Sequence, residues 1–228
     1  KKSGIHLENS HYNKVCNNSV YDNNVGVSLI DSSNNSVYNN WVESNFETGI
    51  YMLGSGYNTL FANEIIYNLV GLDISGFSNN NLFYHNNFHV NTVQATVKDS
   101  SGNQFNLASP YGGNWWSDYT GTDRGDGIGN VPYYFTGGQD NLPFVNQVIN
   151  VCPGDSITNI ISNVANVGDT VWVHDDAGNP YTYTENVEVS KEVKLRSLGQ
   201  VTIQALDAGQ PVIRIFSEAS GSIIGFNI

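Results

Sequence analysis

The chain has 228 residues, of which 39% are hydrophobic and only 13% charged, and its formal net charge is −12. This acidic balance argues against binding to nucleic acid or to an anionic membrane surface. No apolar run approaches the length of a transmembrane helix, and no signal peptide is recognisable, so we expect any export signal to lie outside this segment.

Residues 1–107 repeat a unit of 22 or 23 residues. Each unit opens with a glycine and two apolar residues that flank one variable residue. The rest of the unit is rich in Asn, Ser, Tyr and Val, which are poor helix formers, so a leucine-rich repeat is disfavoured. The alternation instead predicts three short strands per coil in an all-β, right-handed parallel β-helix with coils of about 22 residues. The opening glycines and their apolar pairs are Gly4 with Ile5 and Leu7, Gly26 with Val27 and Leu29, Gly49 with Ile50 and Met52, and Gly71 with Leu72 and Ile74.

Asparagines recur at two further positions of the repeat. Asn suits tight turns because it tolerates left-handed backbone angles, and its amide both donates and accepts hydrogen bonds. We therefore expect two internal ladders, one of Asn18, Asn40, Asn63 and Asn86, and one of Asn23, Asn45, Asn68 and Asn91.

The repeat ends near residue 107, and residues 108–150 form a segment rich in Gly, aromatic residues and Asp. This composition predicts a loop-built cap and linker that covers the last coil. Residues 151–228 then read as the start of a β-helix. Apolar residues at helical spacing follow Asp155 or Ser156 as N-cap, and short strands come after this capping helix. We expect the coils of residues 151–228 to be continued by residues 1–107 of a neighbouring copy.

Three segments resemble NosD-like parallel β-helix proteins, a family that includes archaeal surface-layer-type members. The segment GNWWSDYTGTDRGDGIGNVPY at residues 113–133 is similar to their C-terminal motif. DSITNIISNVANVGDTVWV at 155–173, together with TENVEVSKEVKLRSLG at 184–199, is similar to their N-terminal part, and the repeats are similar to their middle. The order is rotated, because the family would place residues 151–228 first.

When the C-terminal residues 225–228 are joined to the N-terminal residues 1–10, the resulting sequence GFNI-KKSGIHLENS continues the repeat without interruption. The rotated order and this continuity predict a structural extracellular protein, and the resemblance implies that it is of archaeal type. It would be a subunit of a cell-surface sheath, surface layer or filament, assembled head to tail with itself. The predicted assembly edge, on which one copy pairs with the next, consists of Ser3, Gly4, Ile5, Leu7, Ile223, Ile224, Phe226 and Ile228.

The alternative is a carbohydrate-binding or carbohydrate-cleaving β-helix, with cell-surface polysaccharide as the partner. Cleavage needs clustered carboxylates on a solvent-facing strand stack. The predicted outward column of His6, Ser28, Tyr51 and Asp73 contains one carboxylate, so we expect no enzyme activity. The aromatic column of Tyr38, Phe61 and Phe83, whose repeat position Cys16 shares, could stack on sugars or pack against a neighbour.

Metal sites and disulfides are weakly indicated. The chain has one Met and scattered His, so the copper role of one branch of the family does not transfer to it. In relatives the loop at 118–130 resembles a calcium-binding pattern, here reduced to Asp123 and Asp126, and we expect no bound cofactor other than this weak Ca²⁺ candidate. Cys16 and Cys152 are either free thiols or partners in an intermolecular disulfide, and the sequence leaves both alternatives open.

Overall fold

The computed structural model describes residues 3–216 and 221–228. Two compact units divide between Gln147 and Val148. Each unit is an all-β parallel solenoid. The coils, about nine in all, have about 23 residues each, and the described part of the chain has one short helix. The predicted fold class is therefore confirmed. Within the same residues, no helix is long and apolar enough to cross a membrane.

Unit 1 winds through short strands joined by tight turns. Its first nine strands are β1 (Ser3–Glu8), β2 (Lys14–Cys16), β3 (Ser19–Tyr21), β4 (Val25–Ile30), β5 (Ser36–Tyr38), β6 (Trp41–Glu43), β7 (Thr48–Leu53), β8 (Thr59–Phe61) and β9 (Glu64–Ile66). The remaining strands are β10 (Val70–Ser75), β11 (Leu82–Tyr84), β12 (Asn87–His89), β13 (Val93–Val97), β14 (Trp115–Trp116), β15 (Tyr133–Phe135) and β16 (Gly138–Asp140).

Strands of successive coils stack in parallel into three sheets, ordered β1-β4-β7-β10-β13, β2-β5-β8-β11 and β3-β6-β9-β12-β14. The predicted inward column is in register, since Ile5 pairs with Val27, Val27 with Ile50 and Ile50 with Leu72. Val27, Ile50 and Leu72 are each 0% exposed. The repeat glycine is required by close packing, because a Cβ at Gly26 would lie 2.5 Å from the Gly49 carbonyl oxygen.

Both predicted asparagine ladders are present. Asn40 Nδ2, for example, donates to Asn63 Oδ1 at 2.9 Å and to two backbone carbonyls. Left-handed residues such as Asn17 and Asn39 precede the ladder positions, as expected for Asn in turns. A third ladder, which was not predicted from the sequence, consists of Asn13, Asn35, Asn58, Asn81 and Asn103.

One predicted column is wrong in its last member. Tyr38, Phe61 and Tyr84 stack with ring centroids 4.8 and 5.2 Å apart, whereas Phe83 points inward and pairs with Leu60. The turn between β10 and β11 contains six residues, 76–81, where the preceding coils have five. This extra residue moves the frame of the fourth coil by one position.

The far end of the array is closed by its own chain. Thr136 pairs with Thr96 and Phe144 with Trp115, so residues from the segment 108–150 extend two of the sheets. Trp116 stacks between Phe88 and Tyr133 at centroid distances of 4.2 and 4.6 Å.

Unit 2 begins with β17 (Ile149–Val151) and helix α1 (Ile157–Asn163), whose N-cap is Ser156. Ile157 and Ile161 of α1 are fully buried in the core of this unit, so the helix plugs its first coil. The strands that follow are β18 (Thr170–His174), β19 (Tyr181–Thr184), β20 (Val187–Val189), β21 (Val193–Leu198), β22 (Val201–Gln204), β23 (Ile213–Ile215) and β24 (Gly221–Ile224). They form the parallel sheets β17-β18-β21-β24, β19-β22 and β20-β23.

Candidate functional site

Unit 1 has an open edge at its first coil. Strands β1, β2 and β3 are each outermost in their sheets, and no described strand pairs with their outer sides. An unpaired strand edge presents N–H and C=O groups in the geometry that another strand needs for pairing.

The core of unit 1 is also less covered at this edge. Leu7 and Val15 are each 8% exposed and Ile5 is half-buried, whereas Leu29 and Val37, one coil further in, are 0% exposed. The first coil (β1, β2 and β3) therefore ends the solenoid without a cap within the described residues.

Unit 2 has a corresponding open edge at its last layer. We call β23, β24 and residues 226–228 the outer layer of unit 2. Asn227 pairs in parallel with Thr202, and β23 and β24 are outermost in their sheets. The outer layer exposes large apolar side chains, including Ile215 at 52%, Ile224 at 48% and Ile228 at 73%.

The predicted assembly-edge residues lie on these two edges. Ser3, Gly4, Ile5 and Leu7 are in β1, and Ile223 and Ile224 are in β24. Phe226 and Ile228 flank Asn227 in the outer layer. Strands β2, β3 and β23 also belong to these open edges, although none of them was predicted from the sequence to do so.

The predicted outward column is in register from His6 through Ser28 and Tyr51 to Asp73. His6 Nδ1 lies 2.6 Å from Ser28 Oγ, and His6 Nε2 lies 3.6 Å from a Glu8 carboxylate oxygen. His6, Glu8, Ser28 and Tyr51 line an open groove of about 620 Å³, whereas Asp73 lies outside it. Ser28 is only 2% exposed, so its hydroxyl is positioned to bridge coils rather than to attack a substrate in the groove.

The acidic loop uses its carboxylates internally. Asp123 Oδ1 accepts hydrogen bonds from the backbone N–H groups of Gly125 and Gly127. Asp126 accepts from Ile128 N–H and from the Arg124 guanidinium at 3.0 Å, and these hydrogen bonds hold the pKa of Asp126 below its usual value. The two carboxylates therefore act as turn-forming groups.

Soft metal donors are dispersed. Met52 lies in the core, and no disulfide joins Cys16 to Cys152 within the chain. His85 is fully buried with its Nε2 at 2.7 Å from the Tyr111 carbonyl oxygen. Within residues 3–216 and 221–228, no three His, Cys, Asp or Glu side chains come together as a metal-binding group. These donors do not fit a copper site, which requires converging imidazole, thiolate or thioether ligands.

A buried carboxylate ends the first asparagine ladder. Asn86 donates to Asn114 Oδ1 at 2.9 Å, and Asn114 donates from both its backbone and its side chain to Asp140. Trp116 Nε1 and Leu142 N–H also donate to this carboxylate. Burial raises the pKa of Asp140 to about 7, and the converging donors limit the rise.

We expect Asp140 to make stability depend on pH. Since its folded pKa lies above its unfolded value of 3.8, its contribution to the free energy of unfolding is fully present below about pH 4 and is lost as the pH rises to about 7. The full shift corresponds to roughly 4 kcal/mol. The measurement is urea unfolding between pH 4 and 8, for the native chain and for Asp140→Asn.

The difference in unfolding free energy between the two proteins should fall over this range and level off above it. Using the difference removes the opposing effect of His85, whose pKa burial lowers to about 4. A difference that rises with pH would show that the hydrogen bonds to Asp140 outweigh its burial.

Residues 1–121 match the family model described as periplasmic copper-binding protein (NosD). No curated protein and no solved structure matches the chain. The matched residues cover the whole repeat array and the beginning of the cap.

Proposed function

The chain belongs to the NosD family of parallel β-helix proteins, and we propose that it is a structural subunit outside the cytoplasm that assembles head to tail with copies of itself. The description of the family as periplasmic supports a location on the outer side of the cytoplasmic membrane. We place the assembled protein at the cell surface, in a sheath, surface layer or filament.

One observation carries this proposal. In the described parts of the chain, each unit has one end closed by its own chain and one end whose edge strands have no further strand beside them. The segment 108–150 closes unit 1 opposite β1, and α1 closes unit 2 opposite the outer layer. A contact between two different open edges is heterologous, and such a contact produces fibres or tubes when its symmetry does not close.

The energetics favour pairing of whole layers. Burying the exposed parts of Ile215, Ile224 and Ile228 is worth about 1 kcal/mol each. Association costs about 4–15 kcal/mol because the two copies lose translational and rotational freedom. The free energy gained by burying these three side chains is too small to offset this cost, so hydrogen bonding between strands along all three sheets must also contribute.

The copper-binding part of the family description does not extend to our proposal, because the soft donors of this chain are dispersed. We also propose no catalytic activity. Cell-surface polysaccharide is a second candidate partner, since the groove beside Tyr51 presents the carboxylates of Glu8 and Glu47 together with hydroxyl groups. Co-sedimentation with isolated cell-wall polysaccharide, compared between the native chain and Tyr51→Ala, tests this partner.

We expect the native chain to form elongated, concentration-dependent oligomers in sedimentation velocity and negative-stain electron microscopy. Ile224→Lys places a charge in the outer layer, and Ile5→Pro removes a backbone donor from β1. Either change should leave short soluble species, with far-ultraviolet circular dichroism unchanged.

Val167→Lys is the control, because Val167 is 71% exposed and lies outside the outer layer. This variant should assemble like the native chain. A native chain that remains monomeric at high concentration contradicts the proposed function.

A further inference from the structure

The inward side chains of the two open edges follow the same spacing. In the first coil they are Ile5, Leu7, Val15 and Val20, at intervals of 2, 8 and 5 residues. In the outer layer of unit 2 they are Ile213, Ile215, Ile223 and Ile228, again at intervals of 2, 8 and 5 residues. The second and third coils of unit 1 keep these intervals as well, with Val27, Leu29, Val37 and Val42, and with Ile50, Met52, Leu60 and Ile65.

The inward direction of the outer-layer residues follows from strand register. Ile213 and Ile215 pair with the buried Val187 and Val189, and Ile223 pairs with the buried Leu195. One residue past the pairing of Thr202 with Asn227, Ile228 is in line with the buried Ile203.

We infer that the outer layer of unit 2 binds the first coil of unit 1 from a second copy in one register, with β1 on β23, β2 on β24 and β3 on residues 226–228. This inference rests on the proposed function and specifies the strand pairing at the interface between two copies. It differs from the pairing expected from the sequence, in which the edge at 223–228 lies directly against β1.

The alternative register fails on side-chain direction. If Ile223 were placed on Leu7, the interval of 5 residues would bring Ile228 against Tyr12, which is 81% exposed and lies in a turn. In the inferred register Ile213, Ile215, Ile223 and Ile228 meet the inward residues Ile5, Leu7, Val15 and Val20, and Phe226 lies opposite Asn18.

The order of sheets in unit 2 supports the same register. The chain passes through the sheet of β21, then that of β22, then that of β23, and β24 and Asn227 repeat the first two steps. The next strand in this cycle belongs on β23. Strand β1 is followed by β2 and β3 in three successive sheets, so it fits that position and leaves β2 and β3 over β24 and Asn227.

The charged and polar side chains at the interface between the two copies are compatible with this register. With Ile213 on Ile5, Arg214 of one copy lies beside His6 of the other and within reach of the Glu8 carboxylate, which already lies near His6. Arg214 otherwise donates to Gln210, and its partner strand presents Glu188.

Disulfide trapping distinguishes the two registers with one probe residue. In the inferred register Ile224 lies opposite Cys16, and in the alternative it lies opposite Glu8. Neighbouring parallel strands are about 4.8 Å apart, which suits a disulfide. The probe protein carries Ile224→Cys with Cys16→Ala and Cys152→Ala. One partner carries Cys152→Ala and keeps Cys16, and the other carries Glu8→Cys with both native cysteines replaced by Ala.

Each mixture is oxidised, and disulfide-linked peptides are identified by mass spectrometry. We expect the 224–16 bond to exceed the 224–8 bond at least tenfold. Assemblies that trap 224–8 preferentially would overturn the register and leave the proposed function intact. A chain that forms no assemblies overturns the proposed function. If separate copies do not associate but two copies fused in tandem form the 224–16 bond, the occupant is a covalent neighbour and the second-copy inference is wrong.

Discussion

Ile50→Asp should prevent unit 1 from folding. Ile50 is fully buried between Val27 and Leu72 in the inward column. Losing a core isoleucine costs about 2–5 kcal/mol, and burying a carboxylate without a partner costs several more. The sum is comparable with the whole stability of a typical domain, about 5–15 kcal/mol.

Hydrogen exchange followed by mass spectrometry measures this effect on the full chain. Amide protection across residues 3–103 should be lost, because each coil is stable only when its neighbours are in place. Phe46→Asp is the matched control, since Phe46 lies in the turn before β7 and is 67% exposed. Full protection in Ile50→Asp would contradict the inward orientation of this column.

Asn63→Ala should be the second most damaging change. Asn63 is 0% exposed, and its Oδ1 accepts hydrogen bonds from the backbone and side chain of Asn40. Its Nδ2 donates to the carbonyls of Val37 and Phe61 and to Asn86 Oδ1, at 2.8 to 3.0 Å. Alanine would leave several of these buried groups without partners, at about 1–3 kcal/mol each.

We expect Asn63→Ala to lower the free energy of unfolding by about 4 kcal/mol, measured by urea denaturation. Asn18→Ala is the control from the same ladder. Asn18 lies in the first coil, is only half-buried and donates to the Cys16 carbonyl and Asn40 Oδ1. Its loss should cost about 1 kcal/mol. Equal losses in the two variants would show that the ladder contributes no more inside the solenoid than at its end.

The sequence by itself determined the fold of the repeat array and the direction of most of its side chains. In a solenoid the period aligns equivalent residues of successive coils, so a local pattern also specifies long-range contacts. The column through Ile50 and the ladder through Asn63 could therefore be read directly, as could the short helix that begins unit 2.

Other features were decided only by tertiary structure. The six-residue turn before β11 changes the frame of the fourth coil, and aligning repeats by their glycines does not show where the extra residue is accommodated. The hydrogen bond from Asn114 to Asp140 joins two residues outside the repeat array, so the repeat period could not predict it.

The site depends on both kinds of information. The repeat placed Ile5 and Leu7 on an edge strand, and the strand order confirms that β1 is outermost. The sequence could not show that β23 belongs to the outer layer of unit 2, because the strands and turns of unit 2 vary in length and follow no fixed period. Backbone pairing of β23 with β20, and of Asn227 with Thr202, fixes which side chains face inward there.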